Sequence, residues 1–148
     1  MSYLAVFLLW TLSEYTMHVM VHRVPWLAQV HSHHHKFIAM NNTTWEWRNI
    51  FLWTDSWMCT LDLWIQEVIP TLIIVTLTGH WWLFGCFYIW TAFIQENVEH
   101  NPKIHVPWLS SGRWHLQHHI NPKSNFGTIA TFWDKLFRTE QRVTQWLM

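Results

Sequence analysis

From Val68 to Ile94 the chain reads VIPTLIIVTLTGHWWLFGCFYIWTAFI, without one Asp, Glu, Lys or Arg. An uncharged stretch of this length has no place in a small soluble domain, and one bilayer crossing takes roughly 20 residues. Two folds accommodate it. It is one tilted transmembrane helix, or it is a helical hairpin broken near Thr78, Gly79 and His80. In the second case the first arm starts near Leu61 and the second ends near Val98. Gly79 is a natural breaker at such a tip, while Asp62 and Glu67 weaken the membrane character of the first arm.

The histidines decide between the two. Ten of the twelve fall into four groups with metal-site spacing. His31, His34 and His35 read HxxHH, and His115, His118 and His119 read HxxHH again, eighty-four residues later. His18 and His22 (HVMVH) precede the first triplet, and His100 and His105 (EHNPKIH) precede the second. Residues three and four apart share a helix face, so each triplet is expected to aim several imidazoles at one point. Imidazole is a neutral donor suited to iron, zinc, copper or nickel. If both triplets serve one centre they lie on the same side of the membrane, which requires an even number of crossings between His35 and His100. The hairpin satisfies this and the single span does not.

Composition agrees with a membrane setting. Charged residues make up 12% and hydrophobic residues 51%, and fourteen Trp suit a belt at the lipid–water interface. With nine basic and nine acidic residues and no basic patch, a nucleic-acid partner is not expected. Every Lys and Arg lies outside the hairpin, so the positive-inside rule puts the histidine groups in the cytoplasm. The N-terminal run MSYLAVFLLWTLSEY lacks a basic n-region and a small-residue cleavage site, and reads as a retained membrane segment. Cys59 and Cys86 are isolated and read as buried small hydrophobes.

These signals give an all-α, integral membrane helical domain over 1–148. A membrane helix spans 1–22, a transmembrane hairpin 61–98, and a cytoplasmic, histidine-lined di-metal cap carries the second motif over 99–140. Pro25 breaks the chain after the first histidine pair, and a helix from Trp26 to Phe37 carries the first triplet. Trp45 to Trp64 reads as an amphipathic surface helix. Ser110 or Ser111 caps a helix running to Ile120, and Asn121-Pro122 ends it. FGTIATFWDKLFRT reads as a turn followed by an amphipathic helix. One ion rarely takes more than four protein ligands in a structural site. Ten clustered histidines therefore suit two ions, and neutral ligands suit redox-active iron, although zinc fills a histidine site too. His33 and His80 are not expected to be ligands. Glu14, Glu99 and Asp134 lie close enough to the motifs to orient imidazole N–H groups.

The run EYTMHVMVHRVPWLAQVHSHHHK resembles the first half of the fatty acid hydroxylase/sterol desaturase superfamily, with its HxxxH pair and HxxHH triplet. HLQHHINPKSNFGTIATFWDKLFRT resembles the second half, where HxxHH is followed by an Asn-(Tyr/Phe)-Gly turn and a Trp-Asp-Arg-Leu-Phe-Gly-Thr stretch. The likeness covers Glu14 to Thr139. It implies a membrane-embedded, non-haem di-iron oxygenase that uses dioxygen and an electron-donor protein to hydroxylate or desaturate a lipid or other apolar substrate. On this resemblance the iron ligands are His18, His22, His31, His34, His35, His115, His118 and His119. His100 is the counterpart of the histidine that precedes the family's last triplet, and His105 joins it at a different spacing. Ser32-His33 stands where Lys-Xaa is usual, Arg138 stands where Gly is usual, and less membrane helix precedes the first motif, so a homo-oligomer is one way to complete the membrane region. The other reading is a metal-binding membrane protein, or a subunit derived from this family, without catalysis.

Overall fold

The computed structural model describes residues 1–40 and 45–142, and all regular structure among them is helical apart from one isolated bridge between Leu109 and Ala130. Helix α1 spans Tyr3–Arg23 and starts where the Ser2 hydroxyl accepts the Ala5 N–H. Val24 leaves the helical region, and Pro25 opens α2, Pro25–Met40, at a position where no N–H is needed. The break expected at Pro25 is thus a corner between two helices.

The expected hairpin is present. Its first arm, α3, is a continuous helix over Trp57–Thr78. One widened π-turn, Trp64–Val68, lies just before Pro70, whose ring crowds the preceding turn. Gly79, at φ 71, closes α3 in the left-handed conformation that glycine adopts without a steric penalty. The second arm, α4, covers 81–98 and carries its own π-turn, Trp90–Ile94. Helices α1 and α3 are both long and apolar enough to cross a membrane.

Between the bundled helices lies a core of Val6 and Trp10 from α1, Leu63, Val68 and Val75 from α3, and Leu83 and Phe87 from α4. In lipid such packing is held by close fit and by hydrogen bonds between helices more than by the hydrophobic effect. The Trp10 indole N–H accordingly donates to Thr71 Oγ1 at 2.9 Å. The ring of Tyr3 packs edge-on to His80 and Trp82, so the start of α1 and the hairpin tip share one end of the bundle. The opposite end carries the histidine motifs. Leu4, Phe7, Ile69, Ile73, Leu77 and Ile89 stay exposed on the outer faces, as lipid contact requires. Exposed Trp81 and Trp82 flank the tip, and exposed Trp47, Trp53, Trp57 and Trp64 gather where α3 begins.

Three expectations need correction. The segment from Trp45 to Trp64 is not one helix. A 3-10 turn over Trp47–Phe51 ends at Leu52 (φ 52), Asp55 is also left-handed, and Ser56 then caps α3 by accepting the Cys59 N–H. Neither Ser110 nor Ser111 caps the next helix, α5 (Arg113–Ile120). That position falls to Gly112, at φ 68, where a Cβ would lie 2.3 Å from the Ile104 carbonyl oxygen. Cys59 is buried as expected, but Cys86 is exposed on α4. Helix α6, Phe132–Phe137, closes the described structure as the expected helix after the turn.

Candidate metal centre

Nine imidazoles from α1, α2, α5 and the end of α4 meet in two adjoining groups. Helix geometry dictates how each HxxHH triplet contributes. At 3.6 residues per turn, residues four apart are rotated by roughly 40° and residues three apart by roughly 60° the other way. The outer pair of a triplet therefore points one way and its middle histidine another. In α2 the Nε2 atoms of His31 and His35 are 3.0 Å apart, and His34 turns toward His100 and His119. In α5 the Nε2 atoms of His115 and His119 are 3.0 Å apart, and His118 crosses to α1. Each triplet thus aims two imidazoles at one point, as expected, and sends its middle histidine to the other group, so that both groups draw on both triplets with reversed shares.

The first group centres on His118. Its Nε2 lies 3.1 Å from His18 Nε2, 3.0 Å from His22 Nε2 and 3.3 Å from His35 Nε2. His18, His22, His31 and His118 present ligand atoms within 4.8 Å of one another. In the second group, His34, His100, His115 and His119 do the same, and His100 Nε2 is 3.2 Å from His119 Nε2.

Tautomers show what these arrangements require. The Nδ1–H of His18 donates to the Phe126 carbonyl at 2.8 Å, and that of His118 donates to the Ser124 carbonyl at 2.7 Å. A carbonyl only accepts, so each Nδ1 carries the proton and each Nε2 of the neutral ring is a bare lone pair. Burial pushes the His118 ring down to about 3, which keeps it neutral at ordinary pH. Two bare lone pairs therefore face each other across 3.1 Å. A shared cation relieves that contact. Donors about 2.1 Å from one ion and at right angles to it lie about 3 Å apart, which matches the spacings found. His31 is fixed in the same sense, its Nδ1 lying 2.8 Å from Asp62 Oδ2.

The NFG and WDKLF segments now have a structural meaning. Asp134 is fully buried and accepts the backbone N–H groups of Phe126 and Gly127 at 2.8 Å each, the Thr139 hydroxyl at 2.7 Å and the Trp114 indole N–H at 3.2 Å. It holds the loop whose Ser124 and Phe126 carbonyls orient His118 and His18. Asn125 takes the left-handed turn at φ 57, and its amide donates to the Trp114 carbonyl. A Cβ on Gly127 would come within 2.7 Å of the Ala130 carbonyl oxygen and 2.8 Å of Asp134 Oδ2, so only glycine fits. Arg138 ends α6 at φ 57, a position that favours glycine.

Among the other histidines, His105 and His33 are exposed outside both groups, and His80 sits at the tip with its Nδ1 2.8 Å from the Thr78 carbonyl. The loop after α4 turns His105 outward, because Arg113 N–H bonds the Ile104 carbonyl and Gly112 N–H bonds the Glu99 carbonyl. Asp62 and Gln66, which face His31, carried no motif signal, and their four-residue offset on an apolar helix was the only hint. Against both groups lies a small polar cavity of about 40 Å³, lined in part by His18 and His31 of the first, His34 and His115 of the second, and the carboxyls of Asp62 and Glu99. Burial pushes the Glu99 carboxyl up to about 7.

An all-helical bundle with two helices able to cross a membrane and, at one end, paired histidine clusters that could each hold a metal ion narrows the class to which the chain can belong. The sequence narrows this further. The fatty acid hydroxylase family model matches residues 3–139, and the chain belongs to that family. It is also similar to a cholesterol 25-hydroxylase-like protein of Danio rerio, at 26% identity over 146 residues covering 91% of this chain and 53% of that protein. The chain spans about half the length of the curated relative it matches. No solved structure matches it significantly.

Proposed function

We propose that this chain is a membrane-bound, non-haem di-iron oxygenase that hydroxylates or desaturates a C–H bond of a lipid, fatty acyl, sterol or similar apolar substrate. It uses dioxygen and electrons from a partner protein, with its histidine end facing the cytoplasm. The observation that carries the reading is the pair of bare Nε2 lone pairs on His18 and His118, 3.1 Å apart within nine convergent imidazoles. His18, His22, His31, His35 and His118 would hold one iron, and His34, His100, His115 and His119 the other. Bound iron supplies the dioxygen chemistry and the electron storage.

What the chain's own residues do follows from their placement. The carbonyls of Ser124 and Phe126 and the Asp62 carboxylate fix the ring orientations, and such back-side partners typically govern metal affinity. An apolar groove of about 560 Å³ between α1 and α3, bordered by Leu9, Met17, Ile69 and Ile73, suits an acyl or sterol body lying against the lipid-facing side of the bundle. Membership of the fatty acid hydroxylase family supports a lipid-type substrate.

The test is direct. Purified protein reconstituted with ferrous iron and a chemical reductant is incubated with membrane lipid extract under dioxygen. The expected result is lipid-dependent oxygen uptake, with products that have gained one oxygen atom or lost two hydrogens. Two tightly bound, redox-silent ions with no uptake would support the non-catalytic reading instead.

A further inference from the structure

We propose that Glu99 is a direct ligand of the second metal ion, supplying the fifth donor that the first group obtains from a fifth histidine. The inference rests on the two-ion reading above and names a carboxylate where the sequence pattern offers His105.

The position of Glu99 separates this role from that of an orienting partner. An orienting carboxylate sits behind the ring, as Asp62 does at His31 Nδ1. Glu99 instead sits in front. Its Oε1 is 3.7 Å from His115 Nε2, and that same nitrogen is 3.0 Å from His119 Nε2. His115 Nδ1, the atom an orienting partner would take, is buried without a hydrogen bond among the described residues. Two donors each about 2.1 Å from one ion are at most about 4.2 Å apart, so 3.7 Å lies within range of a shared cation.

The rest of the carboxylate is held for this purpose. The Gln95 amide donates to Glu99 Oε2 at 3.0 Å and to Glu67 Oε1 at 3.0 Å, which leaves Oε1 as the oxygen turned toward the histidines. The Glu99 carbonyl is tied to the Gly112 N–H at 2.8 Å, so α4 and the start of α5 fix the residue from both sides. Glu99 is 7% exposed, and the one ion-pair partner found for it among the described residues is His115. Burial disfavours a lone ionised carboxylate here, and a cation held by the second group would offset that cost. A mixed imidazole–carboxylate set is also a harder donor set than five imidazoles, so the two ions differ chemically.

The experiment is a Co²⁺ titration of the detergent-solubilised full chain, comparing wild type with Glu99→Gln, and with His115→Ala to identify the equivalent that belongs to the second group. Wild type is expected to take up two equivalents. In Glu99→Gln the dissociation constant of the second-group equivalent is expected to rise at least tenfold and its visible absorption to change, while the other equivalent keeps its constant. If both constants match wild type, the assignment falls while the two-ion reading stands. A loss of both equivalents together also overturns it, because that marks Glu99 as a residue of the fold. A wild-type chain that takes up only one Co²⁺ overturns the two-ion reading itself.

Discussion

The two histidine groups are built from the same motif in mirror-image shares, yet the protein supports them differently. In the first, His18, His31 and His118 are each held from behind, by the Phe126 carbonyl, the Asp62 carboxylate and the Ser124 carbonyl. In the second, His100 Nδ1 and His115 Nδ1 are buried with no hydrogen-bond partner among the described residues. Back-side hydrogen bonds fix tautomer and ring direction before any ion arrives. The first group is therefore the pre-organised one. The second would owe more of its geometry to a bound ion.

The hardest blow to this asymmetry is His118→Ala. His118 Nε2 stands within 3.3 Å of three other ring nitrogens, so its loss opens the centre of the first group. Metal affinity there is expected to fall by more than about 100-fold, since even orienting partners cost 10–100-fold, and oxygenation should cease. The counterpart His100→Ala should remove the second ion and leave the first, read as metal content per chain. If His118→Ala leaves one ion bound at wild-type affinity and His100→Ala leaves none, the order of the two groups is the reverse of that argued.

Acid should weaken both groups together in the ion-free protein. Burial, with neighbouring imidazoles adding to it, pushes His34 down to about 4, and burial also pushes His118 down to about 3, against an ordinary value of 6.5. Below pH 6.5 the unfolded chain binds protons that the folded chain refuses, so stability falls with pH. It should drop from about pH 6.5 to below pH 4, followed by Trp fluorescence in detergent, and bound metal should delay the fall. A flat profile across that window would show that the rings are not held neutral.

A smaller effect is expected behind the first group. Asp62→Leu removes the acceptor for His31 Nδ1–H and should weaken the first ion by about 10–100-fold. Asp62→Asn, which still offers an oxygen, should lose less. Equal losses at both ions would mean that Asp62 serves the cavity between the groups more than His31.

Much of this was legible in the sequence, for identifiable reasons. The uncharged run and the same-side requirement specify a hairpin whatever its packing, and Gly79 marks its tip because few other residues adopt that φ. The spacing of HxxHH places its histidines on one side of a helix, but it does not say that the middle ring lies far enough round to join a different ion. That depends on what packs opposite, α1 against His118 and the end of α4 against His34. The break inside Trp45–Trp64 was hidden because Leu52 and Asp55 are not residues that advertise a left-handed turn. Asp134 was marked as near the motif, yet its hold on the Phe126 and Gly127 N–H groups is a tertiary fact. Glu99 and His105 differ for the same reason: both flank the second triplet in sequence, and the Gly112 turn brings one in and sends the other out.

That last distinction supplies the smallest expected effect. His105 has the residue type of a ligand and sits five positions after His100, but its side chain is exposed and the backbone beside it is committed to Arg113. His105→Ala should leave both metal constants unchanged and move stability by no more than about 0.5 kcal/mol, as for an ordinary surface position. Measured beside Glu99→Gln, it separates closeness in sequence from closeness in space. A tenfold loss of the second ion in His105→Ala would mean that the loop folds inward when metal binds, and that the second group gains its fifth donor from an imidazole after all.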